Sequence, residues 1–288
     1  MDTSELLKRV RRVEIKSRGL SDRIFSGQYH SAFKGRGMAF SENREYQHGD
    51  DVRAINWNVT ARMGTPYLKV FEEERELTVF IIADISGSID LGTKGSTKRD
   101  RITELAAVLG FSALGNNDKV GAILFSDRIE KFIPPKKGKS HLLRIIRELL
   151  EIKPEGKGTD IPGALDHFLS AMKKRTVAFM LSDFIGDGFE KLLKRASKKH
   201  DFVALQIEDP VDLELPNIGF LPILDPETGE ESWIMSQSKK SRKEYMAKEL
   251  NRKASLDKMF SISGVDHAVI RTDRDFVKPL MQLFDKRG

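Results

Sequence analysis

Five oxygen-bearing side chains are spaced to do one kind of chemistry. Asp84, Ser86 and Ser88 form a D-x-S-x-S sequence directly after the apolar run from Val79 to Ala83. This reads as a buried strand ending in a tight loop of hard donors, one carboxylate and two hydroxyls at alternating positions. Such a trio can converge on a small divalent cation: Mg²⁺ wants oxygen ligands in near-octahedral order, and Mn²⁺ or Ca²⁺ are the alternatives. Two further segments add donors. The stretch Pro154–Asp160 (P-E-G-K-G-T-D) carries Thr159 ahead of a helical pattern, and Ser182-Asp183 follows the apolar stretch Thr176–Leu181. The serine hydroxyls are neutral and keep an ion electrophilic, Asp84 and Asp183 supply charge directly or through water, and Thr159 can ligate or release. Coordination positions stay open for a carboxylate from another molecule. The plainer reading makes these residues caps of the helices that follow them, but three such loops in this order favour the metal.

The elements that must position these residues follow from periodicity. Strand patterns at Leu77–Asp84, Val120–Phe125, Glu130–Ile133, Thr176–Leu181, Phe202–Ile207 and near His267–Ile270 alternate with helical patterns at Arg101–Leu114, Ser140–Ile152, Ile161–Met172, Phe189–Ser197, Lys239–Phe260 and near Asp275–Phe284. Pro134-Pro135 ends the third strand, and Asp209–Ser236 reads as a turn-rich hairpin. Strands alternating with helices of this length predict βαβ units and a three-layer α/β fold around a mostly parallel, doubly wound, Rossmann-like sheet. Ligands of such sheets gather beyond the carboxyl ends of the strands, where strand order reverses, and Asp84 and Asp183 both fall at that edge. A short amphipathic helix is expected at Ser4–Lys16. The glycine- and charge-rich stretch from Arg18 to Glu76 reads as irregular. We therefore expect two regions, an extension over 1–76 and the α/β domain over 77–288.

Composition narrows the function classes. The 288 residues are 39% hydrophobic and 32% charged, ordinary for a globular chain. There is no cysteine, so disulfides, thiolate metal sites and cysteine nucleophiles are excluded. The first ten residues are charged, unlike a secretory signal, and no apolar run approaches the length of a membrane span, so the expectation is a soluble cytoplasmic protein. A net charge of +6 and a pI of about 9.3 raise the possibility of nucleic-acid binding. Most basic residues, however, lie in helical patterns such as Lys191–Lys199 and Lys239–Lys253, interleaved with acids, which reads as a solvated surface. Enzyme motifs are missing. There is no P-loop, Gly92–Lys98 resembling one only superficially, and Gly156-x-Gly158 lacks the strand and third glycine of a dinucleotide site. The histidines lack zinc spacing and read as surface or capping residues. No nucleophile elbow frames Ser86, which also replaces the second acid of a D-x-D pattern. A metal-dependent hydrolase and a nucleic-acid binder remain the rival classes to a binding module; no catalytic residue is assigned.

A second dense set lies upstream. Arg44, Asp50, Asp51, Arg53, Trp57 and Arg62 combine forked donors, carboxylates and an aromatic ring within a few turns. Arginine–aspartate pairs can lock a segment with few regular backbone hydrogen bonds. The alternative is a docking surface anchored by Trp57 and the arginines. The clamp is the simpler reading, and both stay open.

The ordered set Asp84-x-Ser86-x-Ser88, Thr159, Asp183 resembles the metal-ion-dependent adhesion site of von Willebrand factor type A domains. The segment Gly49-Asp50-Asp51-Val52-Arg53-Ala54-Ile55-Asn56-Trp57, with Ala61-Arg62 and Phe71–Glu76 after it, resembles the bacterial family called domain of unknown function fifty-eight. That resemblance continues through Phe132–Gly138, Ser182-Asp183-Phe184, His200-Asp201 and Leu213–Gly229. Asn56 stands where many relatives carry an aspartate. The resemblance implies a von Willebrand-type fold that captures a partner's Asp or Glu on a bound metal. It also implies a role as adaptor or co-chaperone of a MoxR-type AAA+ ATPase, beside which such proteins are typically encoded. No small-molecule substrate is expected.

Overall fold

The structure is a computed structural model that describes residues 3–25, 39–72, 77–90, 96–156, 158–213, 219–224, 231–235 and 238–287. The chain divides into two compact units, one of 1–33 with 77–288 and one of 34–76. Helix α1 (Thr3–Phe25) belongs to the first unit. It is longer than the Ser4–Lys16 its apolar pattern announces, because Ser17 and Ser21 continue the buried stripe of Leu6 and Val10 with small polar residues. Polar types at core positions hide a helical period from hydropathy.

The 34–76 unit is more regular than expected. Strand β1 (Ala39–Glu45) pairs antiparallel with β2 (Tyr67–Glu72), and a 3-10 turn (Val52–Ala54) and helix α2 (Trp57–Met63) fill the connection. The ribbon escaped the sequence reading because β1 carries Glu42, Arg44 and Glu45 and its ladder shifts register between Phe40 and Glu42. A charged, bulged strand has no clean alternation to read.

The first unit is built on a six-stranded sheet. Strands β3 (Thr78–Asp84), β4 (Lys119–Phe125), β5 (Ile129–Lys136), β6 (Val177–Ser182), β7 (Asp201–Glu208) and, after the antiparallel hairpin β8 (Phe220–Leu224) and β9 (Glu231–Met235), β10 (Asp266–Arg271) lie in the order β10-β7-β6-β3-β4-β5. All neighbours are parallel except β5, which runs antiparallel at the edge. Pro134-Pro135 lies inside β5 rather than ending it, since an edge strand needs only one side of its backbone for the ladder. The helices are α3 (Lys98–Gly115), α4 (Lys139–Glu151), α5 (Ile161–Ala171), α6 (Glu190–Lys199), α7 (Lys239–Ser263) and α8 (Val277–Asp285).

Strand β3 shows why its sequence is continuously apolar. Val79, Ile81 and Ala83 face one core with α1, α3, α4 and α8, while Phe80 and Ile82 face the other with α5, α6 and α7. Both faces of the strand are buried, so alternation disappears. The expected three-layer doubly wound α/β architecture is therefore present. Residues 73–76, 91–95 and 225–230, which carry part of the expected Phe71–Glu76 motif, of the Gly92–Lys98 stretch and of the hairpin tip, lie outside the described residues.

Candidate metal centre

Strand order reverses between β3 and β6: the chain leaves β3 for β4 on one side and reaches β6 on the other. Asp84 is the last residue of β3, and Ser182 the last of β6, so the crevice at their carboxyl ends receives both loops. The Ile85 N–H still donates to Phe125 O of β4 at 2.8 Å, and beyond it the backbone leaves the ladder. Ser86 N–H turns back to Asp84 Oδ1 at 2.9 Å, and a 3-10 turn (Gly87–Asp90) then presents Ser88. After Ser182 and Asp183, Phe184 adopts a left-handed backbone with φ 53°, held by its N–H to Ser182 Oγ at 3.0 Å. A left-handed phenylalanine persists only where surrounding contacts over-determine it.

The side chains meet. Ser182 Oγ donates to Asp84 Oδ2 at 2.6 Å, Ser86 Oγ lies 3.2 Å from Ser88 Oγ, and Ser88 Oγ donates to Asp183 Oδ2 at 3.1 Å. Asp183 Oδ1 accepts the Ile185 N–H at 3.3 Å. Four of the five expected donors thus form one hydrogen-bonded group. Thr159 does not join it: among the described residues no hydrogen bond links it to the other four. Its loop is pinned nearby, with Asp160 N–H on Ser126 O at 2.7 Å, just beyond the end of β4, and Gly156 N–H on Glu130 Oε1 at 2.9 Å. A Cβ at Gly156 would stand 2.3 Å from Ser126 Oγ, which is buried and bonded to Glu130, so the loop has no room for a side chain there.

Two residues that sequence reasoning missed complete the group. Lys98, the first residue of α3, is only 1% exposed, and its ammonium lies 3.1 Å from Asp183 Oδ2 and 2.9 Å from Asp212 Oδ2. Burial pulls this ammonium toward neutrality, but Asp183 and Asp212 outweigh it and hold its pKa above the usual lysine value. Burial raises the Asp212 carboxyl, against the opposing pull of Lys98. Thr97 and Asp100 form a reciprocal capping box that sets where α3 begins and so where Lys98 stands. The sequence signal was a lone lysine beside a helix start, with its partners 85 residues away and farther.

The donor chemistry fits a hard divalent cation. Asp84 is wholly buried, and burial, then the charge of Asp183, pushes its carboxyl up to about 7 despite donors from Ser182 and Ser86. A carboxylate whose anion is this poorly compensated is one that a cation would relieve. Among the described residues no three His, Asp or Glu side chains gather as a metal cage. The set offered here is two carboxylates with two hydroxyls, which suits Mg²⁺ better than zinc.

The upstream set divides. Arg44 grips Asp50 through two bonds of 2.9 and 2.7 Å, and Asp50 also accepts Gln47 N–H at 2.8 Å. Asp51 caps the 3-10 turn by accepting Arg53 N–H at 2.9 Å. Arg44, Asp50 and Asp51 therefore lock the connection between β1 and β2. The side chains of Arg53, Trp57 and Arg62 point to solvent, Trp57 being 70% exposed. His200 departs from its expected surface or purely capping role. It ends α6 but is 2% exposed, packed at 4.7 Å on the Phe168 ring.

The chain is 27% identical over 290 residues to "Uncharacterized protein Rv1480" of Mycobacterium tuberculosis, covering 100% of this chain and 91% of that one. It is 26% identical over 160 residues to "Uncharacterized protein MAV169" of Mycobacterium avium, covering 54% of this chain and 93% of that one. Among solved structures it is similar to the conserved hypothetical protein BatB from Bacteroides thetaiotaomicron, with 18% identity and a TM-score of 0.47 over 73% of this chain and 98% of that one. It is also similar to the SpRpn10 VWA domain, with 14% identity and a TM-score of 0.41 over 74% and 95%. Residues 42–255, most of this chain's length, match the family described as "Protein of unknown function DUF58", and the chain belongs to that family.

Proposed function

We propose that this chain is a non-enzymatic, metal-dependent protein-binding module. Asp84, Ser86, Ser88 and Asp183 would hold Mg²⁺, with Thr159 joining as a ligand that can enter or leave the shell. When bound, the ion would supply an electrophilic position for one carboxylate of a partner protein. The chain's own residues do the rest. Ser182 and the Ser86 N–H fix both oxygens of Asp84, the Ser86–Ser88 turn presents two neutral oxygens together, and Lys98 and Ser88 hold one oxygen of Asp183. The observation that carries the reading is the meeting of these four donors at the switch point around a fully buried carboxylate.

The partner we assign is a MoxR-type AAA+ ATPase, which this chain would serve as adaptor in the cytoplasm. The resemblance of Gly49–Trp57 to that bacterial family is what suggests this partner, and among the described residues no helix is long and apolar enough to cross a membrane. The test is Ser86→Ala with Ser88→Ala. Metal binding by calorimetry should fall at least about a hundredfold, losing two donors of a small shell. Capture of the ATPase should vanish with it, as it should in EDTA, while the circular dichroism spectrum stays that of the parent. Capture that survives both the double substitution and EDTA would refute the mechanism.

A further inference from the structure

The charge around the switch point is unusual for a place meant to attract a partner's acid. Asp84, Asp183 and Asp212 are three carboxylates, and among the described residues the ammonium paired with them is that of Lys98, between Asp183 and Asp212. With all four ionised, the group carries two negative charges. A divalent ion brings that to neutrality, and one further carboxylate then meets no net repulsion. Without the ammonium, the loaded group would stay negative and would repel the incoming acid at short range, in a crevice where charges are weakly screened.

We infer that Lys98 is a specificity-determining residue, setting the charge of the centre so that the metal-loaded form is a receptor for one external carboxylate. The inference rests on the metal-dependent reading above and adds what decides whether a loaded site accepts an acid. Geometry supports it as well as charge. Lys98 and Ser88 address the same oxygen of Asp183, so the ammonium stands beside the donor set rather than on a distant surface. Its second partner, Asp212, sits in the 3-10 turn after β7, fixed by the Asp209 N–H at 2.8 Å. The lysine is therefore held from both sides and cannot simply swing away.

The test uses Mn²⁺ alone as the metal probe, followed by electron paramagnetic resonance of the free ion. Acetate is then titrated into the loaded protein, and its displacement of metal-bound water is read as water-proton relaxation. Lys98→Met should bind Mn²⁺ about tenfold more tightly, having lost a neighbouring positive charge, and should need at least about tenfold more acetate for the same response. Lys98→Met combined with Asp212→Asn restores the charge of the parent, leaves no carboxylate stranded at 212, and should return both readings to within about threefold of it. If the single variant does not fold, Asp212→Asn alone decides: one charge more positive than the parent, it should bind Mn²⁺ about tenfold less tightly and respond to less acetate, and a match to the parent in both readings overturns the inference. A folded double variant that loads Mn²⁺ but ignores acetate overturns the inference. So does a folded Lys98→Met that matches the parent in both readings. A parent protein that never binds Mn²⁺ overturns the metal reading itself and this inference with it.

Discussion

His200 shows what a single buried side chain does to the whole stability curve. Its ring is enclosed against Phe168, and neither ring nitrogen has a hydrogen-bond partner among the described residues. Burial first, then the charges of Lys199 and Arg175, lowers its pKa to about 4 from 6.5. The unfolded chain takes up a proton as pH drops through about 6.5, whereas the folded chain refuses it until about 4, so this group's share of stability is full above 6.5 and is lost across that window. The loss should reach about 3 kcal/mol at pH 4. From pH 7.5 through 6 to 5 the parent's urea midpoint should fall relative to that of His200→Leu, and parallel curves would contradict this. Neither His200 nor Lys98 was legible in sequence. A histidine at a helix end looks like any surface cap, and the partners of Lys98 arrive from β6 and from beyond β7. Asp84, Ser86 and Ser88 were legible because the strand that delivers them and the donors themselves are contiguous.

At the scale of elements, the apolar runs that became β3, β4, β6 and β7 announced themselves because both faces of a central parallel strand are covered. The 34–76 ribbon and the continuation of α1 did not, since their positions are held by charged or small polar residues. Close packing inside the sheet gives a direct test. A Cβ on Gly121 of β4 would stand 2.7 Å from Phe80 Cε2 and 3.0 Å from Pro135 Cγ. Phe80 cannot easily yield, being stacked between Phe132 and Phe168 at 6.1 and 5.5 Å between ring centres. Gly121→Ala should destabilise the fold by about 1–3 kcal/mol through overpacking. Adding Phe80→Leu should cost less than the sum of the two single changes, because the second makes room for the first. Strict additivity in denaturant unfolding would mean that the strand and the edge do not press on each other as described.

Across the whole molecule, basic residues of the described helices are paired with acids of the same helix. Ion pairs such as Arg147–Glu151 on α4 and Lys240–Glu244 on α7 lace the same faces that carry the lysines. Such pairing matches the reading of the net charge of +6 as a solvated surface, and a salt titration that left partner capture unchanged would agree with it. The 34–76 unit adds an exposed Trp57 with Arg53 and Arg62 beside it in sequence, while Arg44 and Asp50 hold its connection in shape. The doubly wound sheet, meanwhile, brings residues nearly a hundred positions apart in the chain to one crevice, and the proposed activity depends on that crevice alone. The most direct measurement is a crystal of the full chain grown with Mn²⁺ and examined by anomalous scattering. One peak within bonding distance of the Ser86 and Ser88 hydroxyls, at about 2.0–2.3 Å, with Asp84 or Asp183 in its shell, is the predicted result. An anomalous map with no peak between the ends of β3 and β6 at saturating Mn²⁺ would contradict the account.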